Sequence, residues 1–195
     1  MSLDAPAGDP GFVHLHLHTS FSLREGALTI DRLKKMAIAD AMPALAITDT
    51  NNLFGALEFS EKMAKEGVQP IVGLAATLDF GDGAAFGGRF ERAEAGRASV
   101  VLLAQSERGY ANLMRLGSRL HLDPGPAEPP HLTLARLDGL TDGLIALTGG
   151  PGGPLDRAIA FDRLDLAERR LDILTRLFPN RLYVELQRHG IEAER

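Results

Sequence analysis

Ala44-Leu45-Ala46-Ile47-Thr48 is a short, almost wholly apolar run with no charged residue inside it. Such a run reads as a strand buried on both faces, the kind found in parallel sheets covered by helices. Its flanks extend that reading. Upstream, Thr29 is placed to cap a helix, and Asp31 suits the positive end of the helix dipole. Ile30, Leu33, Met36 and Ala37 then repeat at helical spacing. The helix must stop before Met42-Pro43, because the residue preceding a proline avoids the α region. Downstream, Asn51 or Asn52 is a candidate cap for a second helix, with Leu53, Ala56, Leu57, Met63 and Ala64 facing inward. Gly67 is placed to close that helix as a C′ residue. Pro70-Ile71-Val72-Gly73-Leu74 begins another strand, and Phe12 to His18 reads as a strand ahead of them all. Strand, helix, strand, helix, strand predicts an α/β protein with right-handed crossovers and a parallel sheet.

The rest of the chain is read more coarsely. Gly81 to Ala98 is rich in glycine and charge and reads as a hairpin or a mobile insertion. Ser99 to Ala104 is a further buried strand. Glu107 to Leu120 reads as a helix with Tyr110, Leu113, Met114 and Gly117 on one side. Pro124 to Pro130 is a proline-rich loop, and Gly143 to Thr148 a strand. Asp162 to Phe178 reads as a long helix with Leu164, Ala167, Leu171, Leu174 and Phe178 inward, and Leu182 to Leu186 as the last strand. With 195 residues and no internal repeat, one domain over 12–195 is expected, after a flexible, Pro/Gly-rich segment at 1–11.

Composition removes several classes of function. There is no cysteine, so disulfides, thiolate zinc sites and a cysteine nucleophile are excluded, and a cytoplasmic setting fits. No apolar run approaches the ~18 residues of a membrane span. The start of the chain has neither the basic nor the apolar region of a signal peptide. The formal net charge is -5, whereas nucleic-acid binders carry a basic surplus that neutralises phosphate. Any contact with DNA is expected through a larger assembly.

His14-Leu15-His16-Leu17-His18-Thr19 holds the chemistry. On a strand, positions i, i+2 and i+4 share a face, so the three histidines would form one row of imidazoles, the commonest metal ligand. Functional residues in α/β folds gather at strand ends. The other strand ends here carry Asp49-Thr50-Asn51, Gly73-Leu74-Ala75, the glycine loop Gly149 to Gly153, and Glu185 to His189. The glycine loop lacks the Lys-Ser/Thr ending of a P-loop and reads as a plain loop. Glu185 and His189 read as structural or rim residues. His121 and His131 flank the proline-rich loop and read as solvated.

These segments carry a resemblance. Phe12-Val13-His14-Leu15-His16-Leu17-His18-Thr19, followed by Phe21-Ser22-Leu23 and Gly26, resembles the first motif of the PHP (polymerase and histidinol phosphatase) domain. Ala44 to Asp49 with Asn52-Leu53-Phe54-Gly55, Lys65 to Gly73, Gly109-Tyr110-Ala111-Asn112-Leu113-Met114 and Tyr183 to Gln187 resemble that domain as it stands at the N-terminus of bacterial DNA polymerase III alpha subunits. The resemblance covers Phe12 to Gly190. It implies a distorted (β/α)7 barrel, incomplete at the end of this sequence, with three metal ions on nine His, Asp, Glu and Cys ligands in the hydrolytic members. Carried over residue by residue, His16, His18 and Asp49 match ligand positions. Glu25 stands where an Asp is usual. Thr50 replaces a histidine, Ala75 a bridging glutamate, Ser99 a histidine and Gly150 a Cys or His. The last motif, Asp-x-His, falls beyond Arg195. Alanine and glycine offer no ligating side chain, and Thr and Ser are poor ligands.

The resemblance therefore implies a degenerate domain with His16, His18, Glu25 and Asp49 as residual metal positions. No cofactor is required, and a single zinc or manganese ion is the remaining metal option. It implies further that the parent chain is a DNA polymerase using magnesium on carboxylates far downstream. The partners expected are the remainder of that chain and the proofreading exonuclease subunit, with DNA reached only through the parent. The rival is a metal-dependent phosphoesterase or exonuclease that would use His16, His18, Glu25, Asp49 and Glu185.

Overall fold

Helix α1 spans Ile30–Ala39 and starts where Thr29 Oγ1 accepts the Arg32 amide. Strand β1 follows at Ala44–Ile47 and helix α2 at Ala56–Lys65. Neither asparagine caps α2. Its cap residue is Gly55, and Asn52 instead folds a local turn by accepting the Phe54 amide at 3.2 Å. Gly67 has φ of 77° and ends the helix as expected. Strand β2 is long, Gln69–Asp79, and β3 runs Arg97–Ala104. Helix α3 (Glu107–Leu122) is capped by Ser106, whose hydroxyl accepts the Gly109 amide. Short β4 (Leu132–Thr133) and β5 (Leu144–Leu147) follow. The expected C-terminal helix is present as α5 at Leu164–Leu177, and an additional short helix, α4 at Pro154–Ala160, precedes it; β6 follows at Leu182–Tyr183. This computed structural model describes residues 11–86 and 96–187. His189 and much of the glycine-rich segment lie outside the described residues.

The strands form one sheet in the order β1-β2-β3-β5-β6, with β4 paired to the far end of β2. β1 pairs parallel with β2, β4 with β2, and β5 with β6. β3 runs antiparallel to both neighbours, with Thr77 opposite Ser99 and Val101 opposite Leu147. The sheet is therefore mixed, not wholly parallel. The departure lies at β3, which pairs antiparallel with β2 from Gly73↔Leu103 to Asp79↔Arg97 and antiparallel with β5 on its other side.

Alternation along the strands sorts side chains onto two buried faces. One face packs against helices: Leu74, Ala76, Leu78, Val100, Leu102, Leu144 and Ala146 meet Leu113, Leu116 and Leu120 of α3 and Leu174 of α5. α1 and α2 cover β1 through Ile30, Leu33, Phe59 and Met63. The other face carries Ala46, Ala75, Val101, Leu103 and Leu147 and looks into an open cleft. The inward faces of the helices differ in part from those expected from helical spacing. Leu57, Met114 and Leu164 are exposed, while Asn112 and Arg170 are buried. Arg170 is fully buried because Asp82 receives two of its N–H groups at 2.7 and 2.8 Å, Pro154 O accepts a third, and Phe80 lies beneath the guanidinium. Among the described residues no helix is long and apolar enough to cross a membrane.

The segment Phe12–His18 is extended but forms no strand. It lies along β1, where Ala46 N donates to His14 O and Thr48 N to Leu17 O. Two residues of β1 thus face three of the segment, and the extra residue, with a bend at His16, breaks the period of two. The three histidines all border the cleft but are not equivalent. His14 is exposed with its ring edge-on to Phe12, whereas His16 and His18 are half-buried with ring centroids 5.1 Å apart.

Candidate functional site

The cleft opens at one end of the sheet. It is lined there by His16, His18, Glu25, Thr50, Ser99 and Glu185. Most of the stretches that the sequence marked at strand ends contribute: the segment before α1, the end of β1, the glycine loop after β5 and the residues after β6. Gly73-Leu74-Ala75 does not, because β2 runs on to Asp79 and places these residues mid-strand, outside the lining.

Asp49 is the residue most deeply held. It is 1% exposed. Its Oδ1 accepts Thr19 N at 2.7 Å and Ser22 Oγ at 2.6 Å, and its Oδ2 accepts Thr19 Oγ1 at 2.8 Å. The carboxylate is what folds the 19–22 turn onto the end of β1. Gly26 is required beside that turn, since a Cβ there would sit 2.0 Å from the Thr19 carbonyl oxygen.

Hydroxyl protons fix the state of His18. Ser22 Oγ spends its proton on Asp49 and also accepts Thr50 N at 3.0 Å. Thr50 Oγ1 spends its own on Glu25 Oε2. Both hydroxyls can only accept from His18 Nδ1, at 3.3 and 3.5 Å. Nδ1 therefore carries the hydrogen and Nε2 the lone pair. Burial, and after it the neighbouring His16, lower the pKa of His18, which keeps the ring neutral.

His16 is set by Glu185. Its Nδ1 donates to Glu185 Oε1 at 2.7 Å, and Gln187 Nε2 donates to the same oxygen. Thr148 Oγ1 accepts the Glu185 amide. Burial alone would raise the Glu185 carboxyl. The hydrogen bonds from His16 and Gln187, the His16 charge and the Gly149 N–H outweigh it and hold the group below its ordinary value. Glu185 Oε2 is buried without a hydrogen-bond partner of good geometry. This pair joins the first segment to the last strand, across the mouth of the cleft. Sequence reasoning placed Glu185 at a strand end, as a structural or rim residue and, in the rival phosphoesterase reading, as a site residue, but did not pair it with His16. Nothing short of the fold could pair two residues 169 positions apart.

The remaining positions divide clearly. Thr50 and Ala75 form a parallel bridge, and Ser99 lies opposite Thr77. Gly150, in the left-handed region at φ of 58°, leaves its side-chain space to Gln187. His131 is not solvated: it is 7% exposed, its Nδ1 donates to Pro129 O, and its bare Nε2 lies 3.4 Å from Arg97 Nη2. His121 is exposed but tied by Nε2 to the Asn51 carbonyl.

A three-metal cluster does not fit this donor set. Asp49 has both oxygens committed to protein donors. Thr50, Ala75, Ser99 and Gly150 supply no carboxylate, imidazole or thiolate, and a zinc ion needs about three strong protein ligands. Among the described residues no group of three His, Cys, Asp or Glu is arranged to hold a metal ion.

Comparison with known proteins agrees with the strand-end motifs. The chain is 42% identical over 184 residues to the DNA polymerase III subunit alpha of Caulobacter vibrioides, a match covering 94% of this chain and 16% of that protein. It is 40% identical over 191 residues to the DNA polymerase III subunit alpha of Thermus aquaticus, covering 94% of this chain and 15% of that one. The chain thus spans about one-sixth of the length of the curated relatives it matches. A crystal structure from Bifidobacterium adolescentis, described as a candidate metal-dependent phosphoesterase, superposes with a TM-score of 0.48 at 13% identity, covering 91% of this chain and 87% of that one. The PHP domain family matches residues 14–189. With His16, His18 and Asp49 gathered at one end of a mixed α/β sheet, and with that match over nearly its whole length, the chain belongs to the PHP domain family.

Proposed function

We propose that this chain is the PHP region of a replicative DNA polymerase III alpha subunit, in which it acts as a non-hydrolytic scaffold. It packs on the polymerase body and docks the proofreading exonuclease subunit. The parent chain extends primers in the cytoplasm with magnesium held elsewhere in its sequence. His16, His18, Glu25 and Asp49 are then the residue of an ancestral metal site, able at most to hold one zinc or manganese ion. The observation that carries this reading is Asp49, whose carboxylate is spent on Thr19 and Ser22. A hydrolytic site would need it on a metal. The identities to polymerase alpha subunits support the parentage.

The test has two arms. Nitrophenyl phosphate hydrolysis by the purified chain, with zinc or manganese added, is expected to stay at the level of a blank. Capture of the exonuclease subunit by the full-length parent chain is expected to be lost when residues 12–187 are deleted. One observation favours a second reading, a metal-dependent phosphoesterase: Glu185 Oε2, buried without a hydrogen-bond partner, belongs to the same cleft as His16 and His18. Metal-dependent hydrolysis that disappears in His16→Ala would favour it and overturn the scaffold.

A further inference from the structure

A second groove lies outside the cleft, between the turn that precedes α2 and the outer face of α3. Leu53, Phe54, Met114, Gly117 and His121 line it, and no Asp, Glu, Lys or Arg does. Gly117 makes the groove by omitting a side chain. A Cβ there would meet only Leu53 Cδ1, at 3.7 Å. The large apolar side chains around it are turned to solvent. Phe54 is 73% exposed, Leu57 71%, Met114 47% and Tyr110 37%. Tyr110 stands four residues before Met114, on the same helical face. Apolar side chains gathered this way on a surface mark an interaction site, and Met and aromatic residues dominate such contacts.

The cleft that holds His16 and His18 is lined by none of these residues. They come from two of the segments that resemble polymerase alpha subunits, Asn52-Leu53-Phe54-Gly55 and Gly109 to Met114. Helix α3 has no packing reason to point Tyr110 and Met114 outward, since Leu113, Leu116 and Leu120 already fill its core face.

We infer that this groove is the seat of the remainder of the parent polymerase chain, an intramolecular docking surface that orients this domain on the polymerase body. The inference rests on the polymerase reading above. Two observations select this occupant. The match takes in only 16% of the relative from Caulobacter vibrioides, so such a parent has most of its length available to cover the patch. The groove also lacks charged lining, and permanent interfaces are more apolar and less charged than those exchanged with a separable subunit.

The experiment is hydroxyl-radical footprinting of the full-length parent chain, alone and with the exonuclease subunit. Two residues calibrate it: Met63, fully buried, and Met36, 45% exposed on α1. The inference expects oxidation of Phe54, Tyr110 and Met114 in the parent chain alone to fall to the level of Met63, with Met36 still reactive. Protection that appears only with the exonuclease subunit, or only as the chain concentration rises and a dimer forms, would overturn it in favour of that partner. Full reactivity under all conditions would overturn it outright. Primer extension by the same preparation separates the two levels. Extension with a reactive Met114 sinks only the docking surface, whereas a full-length chain without extension activity sinks the polymerase reading and the inference with it.

Discussion

Asp49→Asn is the substitution that separates a structural carboxylate from a metal ligand. The volume is unchanged and one acceptor oxygen remains. The charge is lost, and an NH2 group is set against Thr19 Oγ1, which is already committed as acceptor to Phe21 N. Three buried hydrogen bonds lose charge assistance. Bonds to a charged acceptor contribute about 1.5–3 kcal/mol against about 1 for neutral ones, so the variant should lose about 3 kcal/mol in all. For a domain of this size that corresponds to about 6–12 °C in Tm. The assay is urea unfolding of the chain followed by circular dichroism in a chelating buffer, with the slope compared to confirm that the same surface unfolds. Destabilisation in the chelator is the expected result. An unfolding midpoint equal to that of the parent chain in chelator, or a difference that emerges only when zinc or manganese is supplied, would refute the assignment of Asp49 as an internal acceptor.

Other consequences follow from the same geometry. Gly26→Ala should cost at least about 2–3 kcal/mol, because the added methyl meets a backbone carbonyl that cannot move without breaking the Thr19 turn; thermal unfolding reads this directly. Arg170→Met should cost roughly 3 kcal/mol, since it strands Asp82, which is only partly exposed. A midpoint unchanged from the parent would show that the pair contributes nothing. Stability should also fall as the pH drops below about 6.5. Burial and His16 hold His18 under that ordinary histidine value, so the unfolded chain takes up the proton first and gains from acid. A His18→Asn chain should show a shallower loss between pH 6.5 and 5 in the same urea assay.

The fold was legible where local chemistry decides it. Thr29 announces the start of α1, Pro43 the end of that helix, and Gly67 the end of α2. Strand direction was not legible. A strand buried on both faces reads the same in parallel and antiparallel pairing, so Ser99 to Ala104 gave no sign that β3 runs against β2. The histidine run misled for a related reason. Its alternation is real in sequence, but one extra residue between His14 and Leu17 against β1 breaks the regular pairing, and the segment forms no strand. The candidate positions came from the family resemblance, and residue type says only that Thr50, Ala75 and Gly150 offer no carboxylate, imidazole or thiolate there. What Asp49 and Glu185 do instead was not legible, since it depends on Thr19, Ser22 and His16 arriving from elsewhere in the fold.

Metal stoichiometry tests the central claim most directly. The chain would be dialysed against excess zinc and manganese, freed of unbound ions, and counted by elemental analysis. The account predicts a value below one ion per chain, unchanged in Asp49→Asn. Two or more ions per chain, falling when Asp49 is replaced, would mean that the Thr19 and Ser22 donors yield to metal and that the site is an intact centre.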